Sequence, residues 1–218
     1  MDKNQLGVKY MQEGNLEEAA KAFYEAINEN GQDPIAYINF GNVLSALGDN
    51  DKALQFFQKA IEIDENAAAA YYSAGNLYYS NGQFSQAKDM FESAMKKGLE
   101  SSDNFFLLGM SLMKLGQQKL AIPFLQRSVE LNGDDLEARF EFGMCLLQNE
   151  YIEEAIAQFE ECLMIDENYA NACYFLGLSS AFKGNEGKAL EMLEKGLRLD
   201  PEHLMALQAT TLIEKLKA

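Results

Sequence analysis

The sequence has few of the residues that build catalytic or metal centres. It contains no tryptophan, three prolines, three cysteines and one histidine among 218 residues. His203 has no second imidazole with which to form a metal site or a proton relay, and we expect it to be a solvated loop residue. Cys145, Cys162 and Cys173 fall at packing positions, where a free thiol behaves as a small hydrophobe. We therefore predict no enzymatic activity, no metal, no cofactor and a reducing, cytoplasmic location.

Long hydrophobic runs and positive charge are also scarce. No stretch of about 18 apolar residues occurs, so the sequence predicts no membrane span. The N-terminal stretch MDKNQLGVKYMQEGN has no apolar run of signal-peptide length. Eighteen basic residues against 34 acidic residues give a net charge of −16. Nucleic acid and anionic membrane surfaces are therefore not expected as partners, whereas a basic partner would be attracted.

Glycine, a poor helix former, recurs at a fixed interval. Every 34 residues the sequence has a glycine, at Gly7, Gly41, Gly75, Gly109, Gly143 and Gly177. A large apolar residue follows the same period, at Phe23, Phe57, Phe91, Leu125, Phe159 and Leu193. A period of this length is typical of stacked helical repeats.

The repeated segments resemble the tetratricopeptide repeat (TPR) family. Two of them read AYINFGNVLSALGDNDKALQFFQKAIEID and AYYSAGNLYYSNGQFSQAKDMFESAMKKG. The resemblance implies an all-α fold, a right-handed α-solenoid of antiparallel helix pairs (the TPR superhelix), in a single domain that covers residues 1–218. The repeats would span 1–33, 34–67, 68–101, 102–135, 136–169 and 170–203. A capping helix at 204–218 would then turn Leu204, Leu207 and Leu212 inward.

The periodic glycine is interpreted as a packing residue. Tyr71, Ala74, Gly75 and Tyr78 fall on one face of the first helix of their repeat. Small residues on that face let the second helix approach closely, which offsets the roughly 1 kcal/mol of helix propensity that a glycine loses against alanine. We expect Phe91 and its equivalents to fill the space between neighbouring repeats.

The family binds peptides along a concave surface lined by the first helix of each repeat. In this sequence that surface corresponds to a stripe one step round from the packing face, and the stripe is unusually apolar for a surface. Asn42 and Asn76 recur on it, and each amide can donate to and accept from a peptide backbone. We call the predicted peptide-binding residues the predicted stripe: Ile38, Asn39, Asn42, Tyr72, Asn76, Tyr79, Phe106, Met110, Met113, Phe140, Glu141, Met144, Tyr174 and Leu178.

The sequence leaves two functions open. The favoured one is a non-enzymatic adaptor or scaffold that holds a segment of a partner protein in the concave groove. Asp103, Glu137 and Glu141 lie near this surface against Lys114, so the ligand is expected to be apolar with some basic residues. The alternative is a self-assembling structural module, in which a second copy of the chain or the capping helix covers the apolar stripe in a homo-oligomer.

Overall fold

The computed structural model describes residues 2–217, and these residues form thirteen α-helices and no strand. This confirms the all-α prediction. The helices are α1 (Lys3–Gln12), α2 (Leu16–Glu29), α3 (Pro34–Ala46), α4 (Asn50–Ile63), α5 (Ala68–Ser80), α6 (Phe84–Lys96), α7 (Ser102–Lys114), α8 (Gln118–Leu131), α9 (Leu136–Gln148), α10 (Ile152–Ile165), α11 (Ala170–Phe182), α12 (Glu186–Leu199) and α13 (Ala206–Lys217).

The helices fall into two compact units, one that ends at Leu115 and one that starts at Gly116. In the first unit, α1 to α7 pack in sequence order, and the odd-numbered helices also touch each other. In the second unit, α8 to α13 pack in sequence order. Nearest-neighbour packing of this kind is typical of helical repeats. The description of the chain as one domain stays a prediction.

A left-handed residue ends the tight connection inside each helix pair. Glycine occupies it in five pairs, with φ between 73° and 85°, for example Gly82. In the pair of α9 and α10 the same position holds Glu150, with φ 67°. Glycine adopts this conformation without a steric penalty, but a glutamate does not.

The periodic glycine makes room for an aromatic ring of its own helix pair. A Cβ atom added to Gly75 would lie 2.7 Å from Cε1 of Phe91, and one added to Gly41 would lie 2.5 Å from Cε1 of Phe57. Both rings are almost fully buried. The glycine is therefore required by the phenylalanine sixteen residues later, which packs inside the pair as well as towards the next one.

The capping helix α13 begins at Ala206 and turns a different face inward from the one predicted. Ala209 and Ile213 are buried, and Leu212 is partly buried beside them. Leu204 and Leu207 are 91% and 78% exposed, so the prediction for these two leucines is wrong. Leu204 precedes the helix, and Leu207 lies on the side of α13 away from Ala209.

Candidate functional site

A cavity of about 400 Å³ opens between α3 and α5 in the first unit. Its lining carries two amides, four hydroxyls and three apolar surfaces, of which the Tyr79 ring is one, supplied by Asn42, Ser45, Phe57, Ser73, Asn76, Leu77, Tyr79 and Ser80. Three of these residues belong to the predicted stripe. Polar groups thus outnumber apolar surfaces in this lining, and the amides and hydroxyls can donate to and accept from a ligand.

The amides of Asn42 and Asn76 are the most informative groups in this cavity. They occupy the same repeat position on α3 and α5, one repeat apart. Neither amide makes a hydrogen bond to any residue between Asp2 and Lys217, and both side chains are half-buried. Their donors and acceptors are therefore available to a peptide backbone, which also offers one of each per residue.

Two tyrosines of the predicted stripe flank Asn76 on α5. The ring centroid of Tyr72 lies 5.9 Å from that of Phe91, and the ring of Tyr79 meets Phe84 edge-on at 5.4 Å. Both tyrosines remain half-buried. The aromatic contacts hold the rings in place while leaving part of each ring open to a ligand.

Asn39 has a structural partner. Its Nδ2 donates to Oδ1 of Asn4 at 2.9 Å, which joins α1 to α3. Asn39 is thus less available than Asn42 or Asn76.

The expectation that the whole stripe lies open is wrong for four residues. Ile38, Met110, Phe140 and Tyr174 are buried, with exposed fractions of 7%, 9%, 8% and 0%. Ile38 packs with Ala60 and Ala70, because α5 covers this part of α3. The remaining stripe residues of the later repeats are half-buried: Phe106, Met113, Glu141, Met144 and Leu178.

The aromatic surroundings of Phe140 explain its burial. Its ring meets Tyr169 at 5.4 Å and Phe175 at 5.7 Å, both nearly edge-on, and also contacts Phe159 at 5.8 Å. The stripe in this part of the second unit is therefore a core rather than a surface.

Tyr174 contacts the segment that leads into α13 through a hydrogen bond and a stacked ring. Its hydroxyl donates to the carbonyl oxygen of Asp200 at 2.6 Å, and its ring stacks on His203 at 4.3 Å. Burial raises the pKa of the Tyr174 phenol. His203 is half-buried and bonded as well: Nε2 lies 2.6 Å from Oδ1 of Asn171, and Nδ1 accepts from the backbone N–H of Met205 at 3.1 Å. The prediction of a solvated His203 is therefore wrong.

The cysteines are buried, as predicted, and all three lie in the second unit. Burial raises the pKa of Cys145 to about 11 and that of Cys162 to about 12. Such thiols stay protonated near neutral pH and are poor nucleophiles. Residues 2–217 contain no group of three or more His, Cys, Asp or Glu side chains placed to hold a metal ion. Across the same residues, none of the helices combines the length and the apolar character needed to cross a bilayer.

Sequence analysis missed several polar residues of these two units. Ser73 and Ser80 line the cavity of the first unit but do not belong to the stripe. In the second unit, Arg139 and Gln158 line a larger cavity. Comparing the repeats position by position could have singled out Gln158, because every other repeat has an apolar residue there.

Stacked helix pairs of this kind define a repeat-type interaction module. Family models support that class: "TPR repeat" matches residues 41–82, and "Tetratricopeptide repeat" matches residues 10–58, 69–97 and 170–203. A further model, "Anaphase-promoting complex, cyclosome, subunit 3", matches residues 90–162.

Solved structures give the family directly. The crystal structure of YrrB, described as a TPR protein with an unusual peptide-binding site, is 49% identical in sequence, with a TM-score of 0.83 over 88% of this chain and 99% of that one. The chain therefore belongs to the tetratricopeptide repeat family. A structure of Pseudomonas aeruginosa pilF, 19% identical, has a TM-score of 0.81 over 96% of each chain and shares the fold.

Curated relatives match over shorter stretches. The TPR repeat-containing protein YrrB of Bacillus subtilis (strain 168) is 56% identical over 39 residues, which is 18% of this chain and 19% of the relative. BBSome complex member BBS4 of Bos taurus is 28% identical over 105 residues, or 48% of this chain and 20% of the relative. The matched segments thus span about a fifth of each curated relative.

Proposed function

We propose that the protein is a non-enzymatic adaptor that binds an extended segment of a partner protein over the cavity between α3 and α5. The carrying observation is the pair of amides, Asn42 and Asn76, which share one cavity of about 400 Å³ and have no hydrogen-bond partner among residues 2–217. A half-buried amide without a partner forgoes hydrogen bonds that a bound backbone can supply.

The spacing of the two amides supports an extended ligand. Because they lie on neighbouring first helices one repeat apart, they can hold two separate peptide groups of the same strand-like segment. The peptide-binding site named for YrrB, which is 49% identical over most of this chain, supports the same function here.

Partner chemistry follows from the apolar walls and the charge. Phe57, Leu77 and the ring of Tyr79 offer apolar contacts inside the cavity. The chain carries a net charge of −16, which attracts basic side chains at the rim. We therefore infer a ligand segment that is apolar with some basic residues, in the cytoplasm, with no catalysis by this chain.

The test is a comparison of captured partners. Wild-type protein and the double variant Asn42→Ala, Asn76→Ala are used as bait in extracts of the source cell, and the captured proteins are quantified by mass spectrometry. We expect the double variant to lose a defined set of partners while its helicity and melting temperature stay unchanged. The matched control is Asn28→Ala, which changes an exposed asparagine of α2. An identical set of captured proteins for all three baits contradicts the assignment.

Self-association is a second candidate, and the end of the second unit supports it. Leu204 and Leu207 are 91% and 78% exposed, and an exposed apolar surface can mark a contact with another chain. Light scattering across a concentration series tests this candidate. A mass that stays monomeric at every concentration excludes it, and loss of a dimer in Leu204→Ser, Leu207→Ser supports it.

A further inference from the structure

A trench runs between α8 and α10 in the second unit, with α9 as its floor. It consists of two adjoining cavities of about 460 and 340 Å³, which share Ile122, Leu146 and Glu154. The trench lies on a different face of α9 from the predicted stripe, because Phe142 and Leu146 line it while Phe140 and Met144 do not. It is therefore a separate surface from the proposed peptide site.

Arg139 stands on the trench floor, at a repeat position that holds Lys3 in the first repeat and Tyr37, Tyr71, Phe105 and Cys173 in the four others. Its Nη2 and Nε donate to the carbonyl oxygen of Gly133 at 2.8 and 3.3 Å. The two tyrosines make the equivalent contact, since the hydroxyl of Tyr71, for example, donates to the carbonyl oxygen of Glu65 at 3.3 Å. A tyrosine would thus satisfy the local structure, and the guanidinium adds a charge and further donors.

Gln158 is the second departure. Every other repeat has an apolar residue at this position: Ala22, Phe56, Met90, Phe124 and Met192. Its Oε1 accepts from Nη1 of Arg139 at 3.1 Å, which fixes the guanidinium in the cavity. Its Nε2 group has no acceptor within residues 2–217. Arg139 and Gln158 therefore place unused donors side by side in the cavity of about 460 Å³.

The charges around the trench are not balanced within the chain. Neither Arg139 nor Lys119, which lines the second cavity, forms an ion pair with a described residue. Glu130 is already engaged, because it accepts from Arg127 at 3.1 Å and from Gln126 at 2.9 Å. Of the two carboxylates that line the trench, only Glu154 has no ion-pair or hydrogen-bond partner among residues 2–217. With Glu130 engaged by Arg127, two unpaired cations, Arg139 and Lys119, face one unpaired carboxylate in the trench.

The trench also has apolar walls that other repeats lack. Pro123 and Tyr151 line it, and Tyr151 is 46% exposed. The position of Tyr151 is polar in every other repeat: Asn15, Asp49, Gln83, Gln117 and Asn185. These apolar side chains line the cavity that adjoins the one with the unused donors of Arg139 and Gln158. Together the two cavities can contact both the apolar and the polar groups of an amphipathic ligand.

We propose that this trench binds a second partner segment, a peptide in which an aspartate or glutamate is flanked by apolar residues. The carboxylate accepts from the free N–H groups of Arg139 and Gln158, and the flanking residues contact Pro123 and Tyr151. Arginine suits this role because its planar donor fork matches a carboxylate. Glu154 lines both cavities and repels the carboxylate, so its charge opposes binding.

The chain offers a nearly isostructural test variant. Arg139→Tyr installs the side chain of Tyr71 and keeps the hydrogen bond to the carbonyl, while Gln158→Met installs the side chain of Met90. Wild-type protein is immobilised and panned with a phage-displayed library of random dodecapeptides, with the soluble double variant Arg139→Tyr, Gln158→Met as competitor. The peptides retained are synthesised with blocked termini, and their affinities are measured by fluorescence anisotropy.

We expect the retained peptides to contain aspartate or glutamate between apolar residues, and Arg139→Tyr to weaken them about ten-fold, the cost of one charge-assisted contact. Replacing the peptide's acidic residue by its amide should have the same effect, and Glu154→Gln should tighten binding. Two control variants should leave the affinity unchanged. They are Arg198→Gln, which removes an equal charge from an exposed position of α12, and Asn42→Ala. The proposal is overturned if no peptide distinguishes wild type from the double variant, if the retained peptides lack acidic residues, or if Arg198→Gln weakens binding equally.

Discussion

Tyr72 in the first unit and Tyr174 in the second occupy the same position of the 34-residue repeat, yet their surroundings differ completely. Tyr72 is half-buried, and its hydroxyl has no hydrogen-bond partner within residues 2–217. Tyr174 is fully buried, donates to Asp200 and stacks on His203. One tyrosine is thus open to a ligand, and the other holds the capping segment in place.

The difference shows that a repeat position fixes packing direction but not exposure. The direction in which a side chain leaves its helix follows from helical phase, which the period conserves. Exposure depends on what lies over that side chain, and for Tyr174 this is the segment around His203, Ala209 and Ile213. The residues over Tyr72 leave part of its ring uncovered.

Removing the two rings is expected to produce the largest effect and the clearest contrast. Tyr174→Ala should destabilise the protein by about 3–5 kcal/mol, because it empties a buried aromatic site. Tyr72→Ala removes a half-buried ring and should cost about 1–2 kcal/mol. Denaturant unfolding followed by circular dichroism measures both values.

Matched variants separate packing from hydrogen bonding in that comparison. Tyr174→Phe removes the hydroxyl that donates to Asp200 and should cost about 1 kcal/mol, whereas Tyr72→Phe should leave stability unchanged. Equal losses for Tyr72→Ala and Tyr174→Ala would show that the two positions do not differ as described.

Thiol labelling can follow the second unit alone, since Cys145, Cys162 and Cys173 all lie there. With its pKa raised from 9.0 to about 11, Cys145 has roughly a hundred-fold less thiolate at pH 8 than an exposed cysteine. Alkylation by iodoacetamide in the native protein should be slower by at least that factor. Mass spectrometry of timed samples gives the rate.

The same thiols determine whether the free energy of unfolding rises or falls with pH. Because the thiols keep their protons in the folded protein and lose them in the unfolded chain, stability should be unaffected below about pH 9 and should fall between pH 9 and pH 11.

Tyr174→Ala should speed labelling of Cys173, and Tyr72→Ala should not. Native cysteines that react as fast as a small-molecule thiol at pH 8 would contradict the burial of these groups.

Substitution of the periodic glycine should lower stability by a similar amount in both units. Added Cβ atoms at Gly75 and Gly143 would each lie 2.7 Å from Cε1 of a buried phenylalanine. Gly75→Val and Gly143→Val are therefore expected to cost about 1–3 kcal/mol each through overpacking. Thermal melting checks this, with Gly187→Ala as control, because nothing lies within 4 Å of an added Cβ there. Stabilisation by either valine would refute the close approach.

The period allowed the helix pairs, the packing glycine and the buried cysteines to be predicted, because each depends on local phase and residue size. The openness of the stripe could not be predicted, since burial of Ile38, Phe140 and Tyr174 results from residues that are distant in sequence. His203 and Leu207 were misplaced for a related reason: the segment after the last repeat has no periodic reference. Arg139 and Gln158 were not predicted because the prediction rested on residue types that recur with the period, and neither residue repeats the type found in the adjacent repeats.

The smallest expected effect concerns the turn that connects α9 and α10. Glu150 has φ 67° where other turns have glycine, such as Gly82 with φ 73°. A non-glycine residue in this region is strained by roughly 1–2 kcal/mol. Glycine removes this strain, but it also stabilises the unfolded state through its larger chain entropy, which offsets part of the gain. Glu150→Gly should therefore stabilise the protein by about 0.5–1 kcal/mol, and Gly82→Glu should destabilise it by a similar amount. Denaturant midpoints measured for both variants test this prediction. Midpoints that shift in opposite directions identify the backbone conformation as the cause. A loss of stability in Glu150→Gly would instead mean that the glutamate side chain itself contributes to the turn.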